Sequence, residues 1–374
     1  MYKQSRNAMT SKAIWTTSSA RKYAEVPPPA PDAATWPRRC IGEHECYLTV
    51  PDLSDVSNAR DLLESEGWEI ARAFAFGAAS LGSILPGVPA VSIRHSTQLS
   101  RVSGAVLHAV RDAVVTPVMH NNWLVGSCIE RDDCHELFIM GVTATPAGDA
   151  RAQTQAAYAV IDDILGRHGF TADHVVRYWN YLKDIAGTYQ DLNQARDAHF
   201  ARHGITRYPA ATGIESLLSA GQLASLSLEA IRPINGAIDV RVLRSDVQGE
   251  APEYGPRFSR GMVVDDHGRQ LRKIYISGTS HLGRDGSSIV SGHPTDHVSH
   301  TMAAVEHLLQ KGGATLDDIA WSIVYCKDRS AYESFRSLYD SHGWQFPHLP
   351  VFVNICRPEL RFEMECFAAT ASDK

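Results

Sequence analysis

Two glutamates, Glu363 and Glu365, stand two residues apart in the segment RFEMEC, with Phe362 and Met364 at the alternate positions. Strand side chains alternate between faces, so the carboxyls point one way and the apolar groups the other. Such a pair either decorates a solvated face or enters a partly apolar cleft. In a cleft, burial raises a carboxyl's pKa, and an acid that keeps its proton near neutral pH can donate it. Just upstream, ICRPEL supplies Cys356, readable as a small buried group or as a reactive thiol, and Arg357, an anion-binding or purely structural guanidinium at a turn before Pro358. Gly278, Thr279 and Ser280 can offer backbone N–H groups and hydroxyls to an oxyanion. In WNY, Trp179 suits a core, whereas Asn180 or Tyr181 suits a hydrogen bond to a ligand. The small, turn-forming run Tyr208 to Gly213, with Thr212 inside it, permits backbone approach to a ligand or a tight crossing of strands.

Other chemistries find less support. His281, His293, His297, His300 and His307 form no HExxH or carboxylate-completed pattern, so no metal is expected. Neither GxGxxG nor GxxxxGK[ST] occurs, and no cofactor is expected. A formal charge of -6 and a pI near 6.3 argue against a nucleic-acid partner and for a small molecule. No apolar run approaches the roughly 18 residues of a membrane span. Seven cysteines without a CxxC pair, and no secretory pattern, fit reduced thiols in a cytoplasm.

The elements that must position these residues emerge from an internal repeat. ELFIMGVTAT (136–145), AQTQAAYAVIDDILGRHG (152–169) and FTADHVVRYWNYLKD (170–184) are matched by KIYISGTSHL (273–282), SHTMAAVEHLLQKGG (299–313) and ATLDDIAWSIVYCKD (314–328). The order is strand, long amphipathic helix, glycine stop, second strand ending in Lys-Asp. Ala156, Ala157, Val160, Ile161 and Ile164 form one helical stripe, and Met302, Val305, Leu308 and Leu309 the other. The offset grows from 137 residues at Gly141/Gly278 to 144 at Lys183/Lys327, lengthening the later strand-to-helix loop around SSIVSGHP. Aligning LSLEA (226–230) with the acidic strand places Ser227 against Glu363 and Glu229 against Glu365, so the later copy alone keeps the first acid. Residues 1–39, rich in Ser, Ala and Pro, read as a flexible arm. Residues 40–245 hold the first unit, clear from about 130, and 250–374 the second, joined by the polar stretch 245–256. Region 40–125 is open to two readings, a degenerate third unit or an added layer.

The downstream stretches YGPRFSRGM, KIYISGTS, ATLDDIAWSIVYCKD, SAYESFRSLYDSHGWQFP and CRPELRFEMECFA resemble the Rid (reactive intermediate deaminase) superfamily. The tandem arrangement, with HVVRYWNYLKDI, LNQARDAHFARHG and RYPAATGIE, resembles more narrowly the chorismatases, enzymes of secondary metabolism that cleave the enol-pyruvyl ether of chorismate. The resemblance implies an α/β (α+β) fold of tandem units, each a mixed sheet covered by two helices, with an additional N-terminal region, and trimer-like packing that allows a homo-oligomer. It also implies that Glu363 handles the proton, that Arg196 and Arg202 hold substrate carboxylates, and that Cys356 shapes the pocket. Two departures stand out: Leu349 occupies the position where Rid proteins carry a carboxylate-binding arginine, and Ser280-His281-Leu282-Gly283 replaces the usual chorismatase run. Two other activities stay open, a Rid-type imine or enamine hydrolase (or ring-forming enzyme) and a non-catalytic binder of small molecules.

Overall fold

A computed structural model describes residues 36–77, 81–96, 103–144, 147–289 and 292–372. Most of the expected arm lies outside the described residues, but its last residues, Arg38 and Arg39, already belong to a strand. Three sheets follow one another along the chain. The N-terminal sheet contains β1 (Arg38–Ile41), β2 (Glu45–Val50), β3 (Glu69–Phe76), β4 (Ala90–Ile93) and β5 (Gly104–Val110), in the order β1-β2-β5-β3-β4. The middle sheet contains β6 (Val114–His120), β7 (Trp123–Glu130), β8 (Cys134–Val142), β9 (Val175–Leu182), β10 (Ala210–Glu215) and β11 (Ala224–Pro233), in the order β10-β9-β11-β8-β7-β6. The C-terminal sheet contains β12 (Ile238–Leu243), β13 (Gly261–Asp266), β14 (Leu271–Ser280), β15 (Ile319–Cys326), β16 (Leu349–Phe352) and β17 (Phe362–Ala371), in the order β12-β13-β14-β17-β15-β16.

The three orders are the same pattern, each with one parallel pair: β3/β4, β9/β10 and β15/β16. Residues 38–110 are therefore a reduced third unit, not an added layer. That unit has helix α1 (Val56–Ser65) but only a 3-10 turn at Leu81–Ser83 where the others have a second helix. The middle unit carries α2 (Ala150–Arg167) and α3 (Ile185–His203), and the C-terminal unit α5 (Pro294–Gly312) and α6 (Arg329–His342). The polar stretch expected to separate two units is corrected: it connects β12 to β13 within the C-terminal sheet and includes the single turn α4 (Ala251–Tyr254).

Local signals explain the helices. Asp149 caps α2 by accepting from the Ala152 N–H at 2.8 Å, and Gly313, at φ +85°, closes α5 in the left-handed region. Met302, Val305, Leu308 and Leu309 are buried as their spacing requires, whereas the α2 stripe is rotated: Ala157, Tyr158, Ile161, Ile164 and Leu165 are buried and Ala156 is exposed.

Each helix layer covers the outer face of its own sheet, and the three inner faces meet in a shared core. Phe74, Trp179 and Trp321, one from each unit, touch there, with ring centroids 5.1–6.4 Å apart. A buried charged layer also joins the units: Lys273 Nζ lies 2.7 Å from Glu45 and 2.9 Å from Glu136, and Arg131 pairs with Glu136 at 2.7 Å. Arg72, Glu229 and Tyr275 form a second such link. A sheet of this kind cannot bury its inner face alone, so trimer-like packing is achieved here within a single chain. Among the described residues no helix is long and apolar enough to cross a membrane.

Candidate active site between the middle and C-terminal units

The edge strand β10 meets the C-terminal sheet through backbone contacts at Ser259, and the Ala211 N–H donates to Ser277 Oγ at 2.9 Å. Beside this seam a narrow cleft, partly open to solvent, runs along α3, β10, α4 and β14. Glu363 forms one wall. Its strand pairs with Tyr325 on β15 and Ser280 on β14, and the residue is 4% exposed. Burial pushes its carboxyl up to about 8, neighbouring Glu365 adds to the rise, and Arg177 and Arg260 oppose it. Glu363 is thus an acid that holds its proton at neutral pH.

Glu365 shares the inner face, as alternation requires, but does different work. It is salt-bridged to Arg177 and accepts from Thr212 Oγ1, from Trp179 Nε1 at 3.1 Å and from Tyr325 Oη at 2.7 Å. Four donors fix it behind the cleft.

Arg196, Arg260 and Arg357 also line the cleft. Arg196 is buried on α3 with Nη2 on Asn193 Oδ1 at 2.5 Å and no protein partner for Nε. Arg260 is held by the Gly249 carbonyl and donates to Tyr254 Oη at 2.9 Å. Arg357 donates to Ser288 Oγ at 3.1 Å. Tyr189, Tyr254 and Phe258 supply aromatic walls, and Asn180 donates to the Thr212 carbonyl at 3.1 Å while its own Oδ1 has no protein partner. Burial pushes the Cys356 thiol up to about 12, with Glu363 adding to the shift, so it lines the cleft as an uncharged group.

Glu363, Arg196, Gly278, Cys356 and Arg357 are therefore brought together. Thr212 sits one step behind, where its hydroxyl joins Arg177, Glu365 and the Gly278 N–H. Three expectations are corrected. Arg202 is exposed on the far side of α3, because six residues of helix turn it well away from Arg196. Tyr181 lies in the three-sheet core: it shares the face of Trp179, leaving Asn180 for the cleft. In the 278–280 run the Gly278 N–H and both hydroxyls expected to face an oxyanion are committed within the protein: the Gly278 N–H donates to Thr212 Oγ1 at 2.9 Å, the Thr279 hydroxyl to the Ser277 carbonyl and the Ser280 hydroxyl to the Phe362 carbonyl. Gly278 instead provides room, as a Cβ there would lie 2.3 Å from Glu363 Oε1. Gly278→Ala is expected to displace the carboxyl, lowering turnover at least tenfold at a stability cost of about 1–3 kcal/mol, checked by steady-state assay and thermal melting.

The sheet registers also correct the repeat alignment. Leu226 lies opposite Val142 as Met364 lies opposite Thr279, so Ser225 matches Glu363 and Ser227 matches Glu365. Glu229 matches Phe367. A slip of two residues preserves strand alternation, which is why pattern alone did not detect it. Ser225 and Gly104 sit opposite Tyr181 and Phe76 as Glu363 sits opposite Tyr325. Of three equivalent seams, one carries an acid. At the seam between the N- and C-terminal units, Leu349 takes up the space, lying 2.8 Å from where a Gly104 Cβ would be, and this is the position where the Rid-type arginine is missing.

A family model described as chorismatase FkbO/Hyg5-like, N-terminal, matches residues 122–227. RutC family protein UK114 of Drosophila melanogaster is 25% identical over 117 residues, 31% of this chain and 80% of that protein. A RutC family protein of Saccharolobus solfataricus is 24% identical over 108 residues, 29% of this chain and 81% of that protein. Among solved structures, a chorismatase crystal structure superposes with a TM-score of 0.65 at 17% identity, covering 87% of this chain and 98% of that one, a likeness of fold.

Proposed function

We infer that this chain, a tandem Rid-type protein of chorismatase-like build, cleaves the enol-pyruvyl ether of chorismate or of a closely related small cyclic carboxylic acid by general acid catalysis. The observation that carries the reading is one buried, proton-holding carboxyl, Glu363, facing the same cleft as Arg196, Arg260 and Arg357. Guanidinium forks suit carboxylates because they give two parallel charge-assisted hydrogen bonds. In this mechanism Glu363 donates its proton to the methylene carbon of the enol ether. The resulting oxocarbenium is captured by water, and the hemiketal collapses to pyruvate and the ring alcohol; in the alternative, a neighbouring ring hydroxyl displaces the group at its ring carbon, the ring C–O bond breaking as pyruvate leaves and the hydroxyl proton returning to Glu363. With water as the nucleophile, one water is consumed, and its proton restores Glu363 for the next turnover.

Mass-spectrometric screening with chorismate and several imino acids tests the assignment. Pyruvate released from chorismate supports it; turnover of imino acids alone points to Rid-type imine hydrolysis, and saturable binding without turnover to a binding protein. Within the leading reading, Arg196→Ala is expected to weaken substrate binding by about 1.5–3 kcal/mol, read as a higher Michaelis constant. Arg202→Ala, on the exposed face, is expected to behave as wild type. Equal effects in the two variants would remove Arg196 from the anchor.

A further inference from the structure

The helix that presents Arg196 to the cleft carries a second constellation on its outer side. His199 and His203 are one turn apart on α3 and so share a face, and Asp162 reaches them from α2. Asp162 Oδ2 lies 3.0 Å from His203 Nε2 and 3.7 Å from His199 Nδ1, and one donor atom from each residue falls within 4.8 Å of the others. A tetrahedral ion with bonds of about 2.0–2.2 Å holds its donors roughly 3.3–3.5 Å apart, so the two carboxylate-to-ring spacings straddle the value such an ion imposes. The His199 ring is 6% exposed and stacked on Tyr158 of α2 at 4.2 Å, which sets its orientation before any ion arrives. Asp133, Cys134 and Asp266 also come close together, but Arg269 contacts all three and already compensates their charge. Among the described residues no Lys or Arg is salt-bridged to Asp162, and Arg202 acts on His199 without contacting the carboxylate.

We propose that Asp162, His199 and His203 bind one divalent transition-metal ion of the Zn²⁺ type on the α2–α3 surface, with water completing its coordination. A two-imidazole, one-carboxylate set suits late first-row divalent ions better than Ca²⁺ or Mg²⁺, which prefer all-oxygen sites. The ion ties α3 to α2 three residues beyond Arg196, so its role is to hold the helix that carries the anchor.

The test uses tag-free full-length protein stripped with chelator and titrated with Co²⁺, then Zn²⁺. Expected are one equivalent of Co²⁺ per chain, the visible absorption of a low-coordinate site, its loss on Zn²⁺ addition, and a Zn²⁺-dependent rise in melting temperature. Asp162→Asn and His203→Ala should each weaken Zn²⁺ binding at least tenfold and abolish the melting shift, while Arg151→Ala, exposed at the opposite end of α2, should leave both unchanged. Absence of saturable binding in the wild type overturns the proposal, as does wild-type affinity in Asp162→Asn and His203→Ala.

Discussion

Replacing Glu363 with Gln is expected to lower turnover by about 10²–10⁴-fold while substrate affinity stays near that of wild type. The exchange keeps size and polarity in the wall of the cleft and removes only the transferable proton. The wild-type pH profile should carry the same signature. A general acid must be protonated, and burial pushes this carboxyl up to about 8, so the rate should stay level through neutrality and fall as pH rises past about 8. Stability offers a readout independent of substrate. The folded state keeps the proton up to about 8, whereas the unfolded chain releases it near 4.5. Wild-type stability should therefore be unaffected by this group below about 4.5 and decline between those values, by a few kcal/mol in all. Glu363→Gln should lack that decline, making the variant the more stable protein at pH 9. Full turnover in the variant, or a flat alkaline limb in the wild type, would place the acid elsewhere.

Fold class, two of the three units and the shared face of Glu363 and Glu365 were legible in the sequence because each rests on local periodicity. Alternation put Glu363 and Glu365 on one face, and the helical spacing of Met302, Val305, Leu308 and Leu309 located the outer layer. The third unit was harder to see because it has lost a helix and an edge strand, the parts with the strongest periodic signal. Arg260, Tyr254 and Phe258 were missed for a different reason. They sit in and just after a polar stretch that composition marks as a linker, and only the contact of β10 with the C-terminal sheet turns that stretch into a wall of the cleft. Tyr181 against Asn180 was decidable earlier: once Trp179 is assigned to the core, strand alternation sends Tyr181 with it and Asn180 the other way. The two-residue slip between Ser225 and Ser227 was not decidable by pattern, since it leaves every side chain on its expected face.

That slip changes what Glu365 is for. With Ser227 at the matching place in the middle unit, Glu365 is no shared structural glutamate but a charge peculiar to the seam that holds the site. Its partner Arg177 comes from the middle unit, and both side chains are 2% exposed. A buried ion pair costs desolvation on both sides, and removal of one partner leaves the other charge uncompensated, a loss of about 3–5 kcal/mol. Arg177→Met should therefore destabilise the protein by about that amount in chemical denaturation, among the largest effects of any single substitution outside the aromatic core. Glu365→Gln should be destabilising too, because it leaves the Arg177 guanidinium buried without its carboxylate even though the amide oxygen can still accept from Trp179 and Tyr325. The double variant Arg177→Met/Glu365→Gln should recover part of the loss, since no buried carboxylate is then left without its cation. Strictly additive losses in the double variant would mean that the two residues act separately and that the seam is held by the surrounding apolar contacts instead.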